Sequence, residues 1–320
     1  MVKDQAQQPP SLMRQDGSAL PTYRALMAEF ELPRHELWPL LEAASGRRRE
    51  FMIAHADAAA AEGVCALFRR MAAQRLAGVP VAYLTGWREF YGRPFWVNRH
   101  TLIPRIETEL LIDTVMRLAQ EMPAPLRLCD LGTGSGCIGI TLALELRSAE
   151  LTVSDQSADA LAVARNNAAR FGLESRVHFQ QGCWYQALKP IQQRFHGLIS
   201  NPPYVAAGDP HLQQGDLRFE PASALSPAAS GSADGKGSTG HREPQGADAG
   251  LSDFITLAHG ARDWLEPGGF LLVEHGVDQQ EAVIRIFTEA GLSEVRGIPD
   301  AQSRPRAVFG IWPGSSTLLS

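Results

Sequence analysis

The sequence predicts a two-part α/β protein, a small helical bundle joined by a β-hairpin to an open sheet wound with helices. Three observations predict it. From residue 126 onward, short apolar runs alternate with helical periodicity, as in βαβ units. The first of those runs ends in a glycine-rich turn and the second in an acid. The segment before residue 82 carries Ala-rich helical spacing and no strand pattern.

Residues before about Ser18 are polar and contain proline, the composition of a frayed end. From Leu20 to about Ala77, Phe51, Ile53, Leu67, Met71 and Leu76 recur among charges, with Gly46 and Gly63 as helix boundaries. This bundle, residues 1–82, suits substrate docking or scaffolding. His35 and His55 stand alone in it and read as surface or packing residues. Residues 83–105 hold Trp87, Phe90, Tyr91, Gly92, Phe95 and Trp96 in short alternations, the pattern of a hairpin linker. Arg105 and Glu107 then read as a solvated ion pair that is also placed to line a cleft. An apolar helix follows through Leu111, Ile112, Val115 and Leu118.

The remainder, 106–320, is the sheet domain. Leu126–Leu131 reads as a strand, Gly132-Thr133-Gly134-Ser135-Gly136 as a turn, Cys137–Arg147 as a helix and Leu151–Asp155 as a second strand. Glycines let the backbone approach a ligand closely, with helix N–H groups facing it. An acid closing the second strand is placed to take a ribose diol. The spacing G-x-G-x-G departs from the dinucleotide turn G-x-G-x-x-G, which argues against a dehydrogenase. Ser157 starts a helix that Gly172 stops, and Val177–Gln181 is a third strand. Trp184 follows it, an indole suited either to covering a flat ring or to filling a core.

The fourth strand, Phe195–Ser200, delivers Asn201-Pro202-Pro203-Tyr204. Prolines end the strand and hold Asn201 extended at its carboxyl end. The Asn201 side-chain oxygen and the Pro202 carbonyl are two acceptors for both hydrogens of a planar –NH2 group, and the face of Tyr204 can pack on it. Such a nitrogen is a weak nucleophile, so positioning it in line with an activated carbon is the route to rate, and no general base is expected. A polar loop, Asp209–Pro221, lies beside this motif. Ser226–Gly250 has the composition of a disordered insertion, His241 included. A helix over 252–264, a strand over 270–275, a helix over 278–290 and a closing hairpin (294–298, 307–312) complete the chain. Glu274 and His275, adjacent on a strand, point to opposite faces and are not an acid–base pair.

Composition excludes several classes. A net charge of −5 argues against bulk binding to nucleic-acid phosphates. Four cysteines without metal-type pairing, no basic-then-apolar start and no run of membrane-spanning length lead to the expectation of a reduced cytoplasmic protein with no metal.

The glycine turn with its upstream Asp130, the acid at Asp155 and Asn201-Pro202-Pro203-Tyr204 resemble S-adenosylmethionine-dependent methyltransferases acting on a planar NH2 nitrogen, whose sheet is Rossmann-like. Phe90–Phe95, Leu102–Glu109 and Asp209–Pro221 narrow the resemblance to the release factor glutamine methyltransferases (the PrmC or HemK family). That resemblance implies methylation of the Gln amide nitrogen in the Gly-Gly-Gln tripeptide of peptide chain release factors 1 and 2, with S-adenosyl-L-methionine as cofactor. The expectation is a monomer with no direct nucleic-acid requirement and no membrane. Gly132, Thr133, Gly134, Ser135 and Gly136 would hold the methionine end of the cofactor, Asp155 its ribose and Trp184 its adenine. Asn201, Pro202, Pro203 and Tyr204 would hold the target amide, with Asn201 also beside the cofactor. Cys183 stands where many relatives carry an acid. The alternatives are a ribosomal-protein glutamine methyltransferase, an adenine amino-methyltransferase, and a non-catalytic protein that retains the fold.

Overall fold

The computed structural model describes residues 19–122, 124–191, 193–206, 208–227 and 250–314. Most of the Ser226–Gly250 stretch, His241 included, lies outside them, as does the polar start of the chain. Two compact units divide the chain, residues 1–86 and 87–320.

In the first unit, α1 (Tyr23–Met27), α2 (Arg34–Ser45), α3 (Arg49–Ala54), α4 (Glu62–Leu76) and α5 (Val81–Thr85) share one core. Leu26, Leu40, Leu41, Met52 and Phe68 are wholly buried in it. Thr22 caps α1, its hydroxyl accepting from the Ala25 N–H at 3.1 Å. Gly46 ends α2, whereas Gly63 falls inside the first turn of α4. Helix α5 runs through residue 82, so the break comes later than the expected boundary there.

The second unit opens with an antiparallel hairpin, β1 (Trp87–Phe90) and β2 (Arg93–Trp96). Helix α6 (Glu109–Leu118) buries Leu111, Ile112 and Val115, and Glu109 accepts from the Tyr91 N–H at 2.7 Å, tying the hairpin to it. There follow β3 (Arg127–Leu131), α7 (Cys137–Glu145), β4 (Glu150–Asp155), α8 (Ala158–Arg170), β5 (Val177–Gln181), β6 (Phe195–Ser200), a short α9 (Ala222–Leu225), α10 (Ser252–Trp264), β7 (Leu265–Glu274), α11 (Gln280–Glu289), β8 (Ser293–Pro299) and β9 (Pro305–Ile311). The Ser157 hydroxyl caps α8 by accepting from the Ala160 N–H at 3.1 Å. Strand β7 starts ahead of the expected Phe270, because the residues around Pro267 bulge between the Phe195–Leu265 and Gly197–Phe270 pairs.

The seven-stranded sheet has the order β5-β4-β3-β6-β7-β9-β8. The first five strands are parallel, and β9 and β8 close the edge antiparallel. Alternate residues go to opposite faces. Leu128, Val153, Ile199 and Leu272 join one core, and Cys129, Leu198, Leu271 and Val273 join the other. Because β4 and β5 lie to one side of β3 while β6 and β7 lie to the other, the winding reverses there. Open α/β sheets take ligands at the carboxyl ends of the strands beside such a reversal.

Candidate active site

The carboxyl ends of β3, β4, β5 and β6 open into one cleft. Gly132, Thr133, Gly134 and Ser135 line it after β3, Asp155 after β4, Gly182 to Trp184 after β5, and Asn201 and Pro203 after β6. Arg99, His100, Arg105, Thr108, Pro221 and Ser223 contribute to the rest of its wall. Gly136 stands behind the turn, where it begins α7 with a φ of 83°.

The glycine turn is held from beneath by Asp130, which is fully buried. Its Oδ2 accepts from the Thr133 hydroxyl at 2.6 Å and from the Gly139 N–H at 3.0 Å, drawing the turn onto the first turn of α7. Burial pushes its carboxyl up to about 6 against both hydrogen bonds. Gly139 permits this approach, since a Cβ there would come within 2.4 Å of Val153 Cγ1. Gly134 has a φ of +56° and nothing within 4 Å of where a Cβ would lie. Its N–H donates to Asp155 Oδ2 at 2.9 Å, and the Ser157 N–H donates to Oδ1 at 2.9 Å. Each Asp155 oxygen therefore keeps a lone pair for a further donor. Burial raises the Asp155 carboxyl, opposed by these backbone donors.

Asn201 lines the cleft with its amide anchored, Nδ2 donating to Thr108 Oγ1 at 3.1 Å. Pro202 is buried, and neither it nor Tyr204 is among the lining residues. The Tyr204 hydroxyl lies 3.4 Å from Glu274 Oε1, and its carbonyl accepts from Gln279 Nε2 at 3.0 Å. Burial pushes Glu274 up to about 7. His275 donates from Nδ1 to the Gly276 carbonyl at 2.7 Å, and burial lowers its basicity.

Arg105 and Glu107 do not pair with each other. Arg105 pairs with Glu220 from the loop after the Asn201 motif, and Glu107 lies 3.7 Å from Arg304. Glu220, with its side chain fully buried, also accepts from the Ile103 N–H at 3.0 Å. Desolvation outweighs Arg105 there and leaves the Glu220 carboxyl raised. On the third strand's side, Trp184 has a φ of 44° and its Nε1 donates to Asp253 Oδ1 at 3.1 Å. Burial pushes Asp253 up to about 6, and its Oδ2 has no protein partner.

Residues 19–86 match the PrmC N-terminal domain, and residues 107–223 match the methyltransferase small domain. The release factor glutamine methyltransferase of Bordetella pertussis is 43% identical over 86% of this chain and 93% of its own. The chain belongs to the release factor glutamine methyltransferase family. Relatives of that name from Neisseria gonorrhoeae (41% identical, 90% of this chain and 97% of that one) and Escherichia coli (37%, 88% and 92%) agree. As a member of this family it is a methyltransferase, a class that draws generally on S-adenosylmethionine.

The cleft fits such a cofactor. The Ser135 hydroxyl, 1% exposed, has no partner within the protein, and the space above Gly134 is open. Among the described residues no helix is long and apolar enough to cross a membrane. Sequence reasoning about this family member missed Thr108, Glu220 and Asp253. Thr108 lies within Leu102–Glu109, where the charged Arg105 and Glu107 are the more conspicuous residues.

Proposed function

We propose that this enzyme methylates the side-chain amide nitrogen of Gln in the Gly-Gly-Gln tripeptide of peptide chain release factors 1 and 2. The observation that carries this is the anchored Asn201 amide at the cleft, whose nitrogen is committed to Thr108 so that Oδ1 is left to accept.

The Gly132–Gly136 turn, with Thr133 and Ser135, holds the methionine end of the cofactor. Asp155 takes the ribose hydroxyls with its remaining lone pairs, and Trp184 covers the adenine. Cys183 beside it is exposed and supplies no carboxylate for the adenine amino group. Bound S-adenosylmethionine supplies an electrophilic methyl group on a sulfonium.

The chain's own task is to present the nucleophile. Asn201 Oδ1 and the Pro202 carbonyl accept the two hydrogens of the Gln amide, stripping it of water and aligning its nitrogen. Pro203 sits beside it in the cleft, and Tyr204 supports the motif from behind. Well-oriented reactions gain on the order of 7–11 kcal/mol from such positioning. No base is required, because the nitrogen becomes far more acidic once methylated and loses its proton to water. Release factors work where ribosomes do, so the enzyme acts in the cytoplasm.

Incubation of purified release factors with the protein and cofactor, followed by mass spectrometry, tests this. One methyl group on the tripeptide Gln is the expected result. Methyl transfer to nucleic acid or to a ribosomal protein instead would overturn the assignment.

A further inference from the structure

Two stretches of the cleft wall come from different parts of the chain. One is the glycine turn after β3, where Ser135 lines the cleft. The other follows β2, whose last residue is Trp96, and contributes Arg99, His100, Thr101, Leu102, Pro104 and Arg105. The spacing between these stretches determines what the cleft admits.

Asn167, on α8 and fully buried, bonds to both. Its Oδ1 accepts from the Trp96 N–H at 2.7 Å, and its Nδ2 donates to the Trp96 carbonyl at 2.9 Å. The side chain thus takes up both backbone groups of Trp96, as a neighbouring strand would. Nδ2 also donates to the Ser135 carbonyl at 2.9 Å. An N–H only donates and a carbonyl only accepts, so one orientation of the carboxamide satisfies all three. The turn meets α8 again at Gly136, where a Cβ would come within 3.2 Å of Ala164 Cβ. Arg170, three residues on, holds the hairpin without bonding to the turn. Its Nη1 donates to the Pro94 carbonyl at 3.1 Å, and its guanidinium lies 4.3 Å from the centre of the Trp96 ring.

We propose, resting on the reading that the Gly132–Gly136 turn holds the methionine end of the cofactor, that Asn167 is a positioning residue for that end. It sets the turn against the stretch that follows Trp96, and so tunes affinity for the amino acid part of the cofactor. It touches neither cofactor nor substrate. The adenosine part, assigned to Asp155 and Trp184, does not depend on it.

The test uses two ligands, S-adenosylmethionine and 5′-methylthioadenosine, which keeps the adenosine and lacks the amino acid end. Calorimetry gives both Kd values for wild type, Asn167→Ala and Arg170→Met, and urea denaturation confirms that each variant is folded at the assay temperature. Asn167→Ala is expected to weaken S-adenosylmethionine about tenfold, the scale of one net hydrogen bond. Its Kd for methylthioadenosine is expected to stay within about threefold of wild type, well under that tenfold step. Arg170→Met, which loosens the hairpin alone, is expected to leave both Kd values within the same about threefold range. Where the alanine variant does not fold, Asn167→Asp is read by the same criteria, since it keeps an acceptor for the Trp96 N–H and gives up the donors to both carbonyls. Unchanged S-adenosylmethionine binding in the Asn167 variant overturns the proposal. So does an equal loss for both ligands, which would mark Asn167 as a packing residue, or an Arg170→Met variant that matches it. Wild-type protein that binds S-adenosylmethionine no more tightly than methylthioadenosine would instead overturn the parent reading of the turn, and this one with it.

Discussion

Glu220 ties the loop after the Asn201 motif to the segment before α6 through both Arg105 and the Ile103 N–H. Its removal should therefore be visible in both stability and cofactor affinity. Glu220→Ala takes the acceptor from the buried Ile103 N–H, which costs about 1–3 kcal/mol. It also leaves Arg105 without its carboxylate. Breaking a buried pair costs about 3–5 kcal/mol when the remaining charge is stranded. Arg105 is 32% exposed, so water recovers part of that. The desolvation that raises the Glu220 carboxyl is relieved as well. The net expectation is about 2–4 kcal/mol of lost stability. Glu220→Gln keeps an oxygen for Ile103 and should lose only about half as much. Urea denaturation gives the order, with wild type most stable, then Gln, then Ala. Pro221, Ser223 and Ala224 line the cleft, so the alanine variant should also bind S-adenosylmethionine about tenfold more weakly, or 1.4 kcal/mol. An alanine variant within about 0.5 kcal/mol of wild type, the range of ordinary surface changes, would refute the reasoning.

Asn201→Ala should abolish methyl transfer while leaving cofactor affinity, read by calorimetry, nearly unchanged; measurable wild-type turnover in that variant removes Asn201 from the mechanism. Glu274, raised by burial from 4.5 to about 7, contributes stability that is present below pH 4.5 and lost as pH rises through about 7. Denaturation of Glu274→Gln should therefore show a gain of about 3 kcal/mol over wild type at pH 8 that shrinks toward pH 5, and a pH-independent difference would contradict it. Gly139→Ala drives a Cβ to within 2.4 Å of Val153 Cγ1 and presses on Asp130, with an expected loss of about 1–3 kcal/mol by thermal melting. Asp253→Ala releases the Trp184 indole from its acceptor, and the expected outcome is a shift in tryptophan fluorescence with weaker cofactor binding.

The sheet region was legible because its central strands are buried on both faces and its helices carry their own signals. Ser157 caps α8 as its position before an apolar-periodic run foretold, and β5 and β6 span the residues expected of them. The cleft was legible in outline, since Gly132, Asp155, Trp184 and Asn201 each stand at a strand's carboxyl end and the topology gathers them. Their partners were not. Thr108 is 93 residues from Asn201, Glu220 is 115 from Arg105, and Asp253 is 69 from Trp184. Nothing local marks a threonine before a helix or an aspartate in its first turn as one half of such a contact. Arg105 and Glu107 failed as a pair for the converse reason: nearness in sequence says little where a 3-10 turn sends neighbours to different sides. Tyr204 was placed by its ring, whereas its hydroxyl and carbonyl are what the fold engages.

Asn167, fully buried on α8, joins two segments that sequence would keep apart. Its Oδ1 accepts from the Trp96 N–H at 2.7 Å, and its Nδ2 donates to the carbonyls of Trp96 and Ser135, each at 2.9 Å. One side chain thus rivets the hairpin's second strand to the glycine turn at Ser135. A tug on the ribbon is transmitted to the turn through a carboxamide with no slack. Grafting a different hairpin onto this sheet would leave the glycine turn less firmly seated unless that rivet came with it.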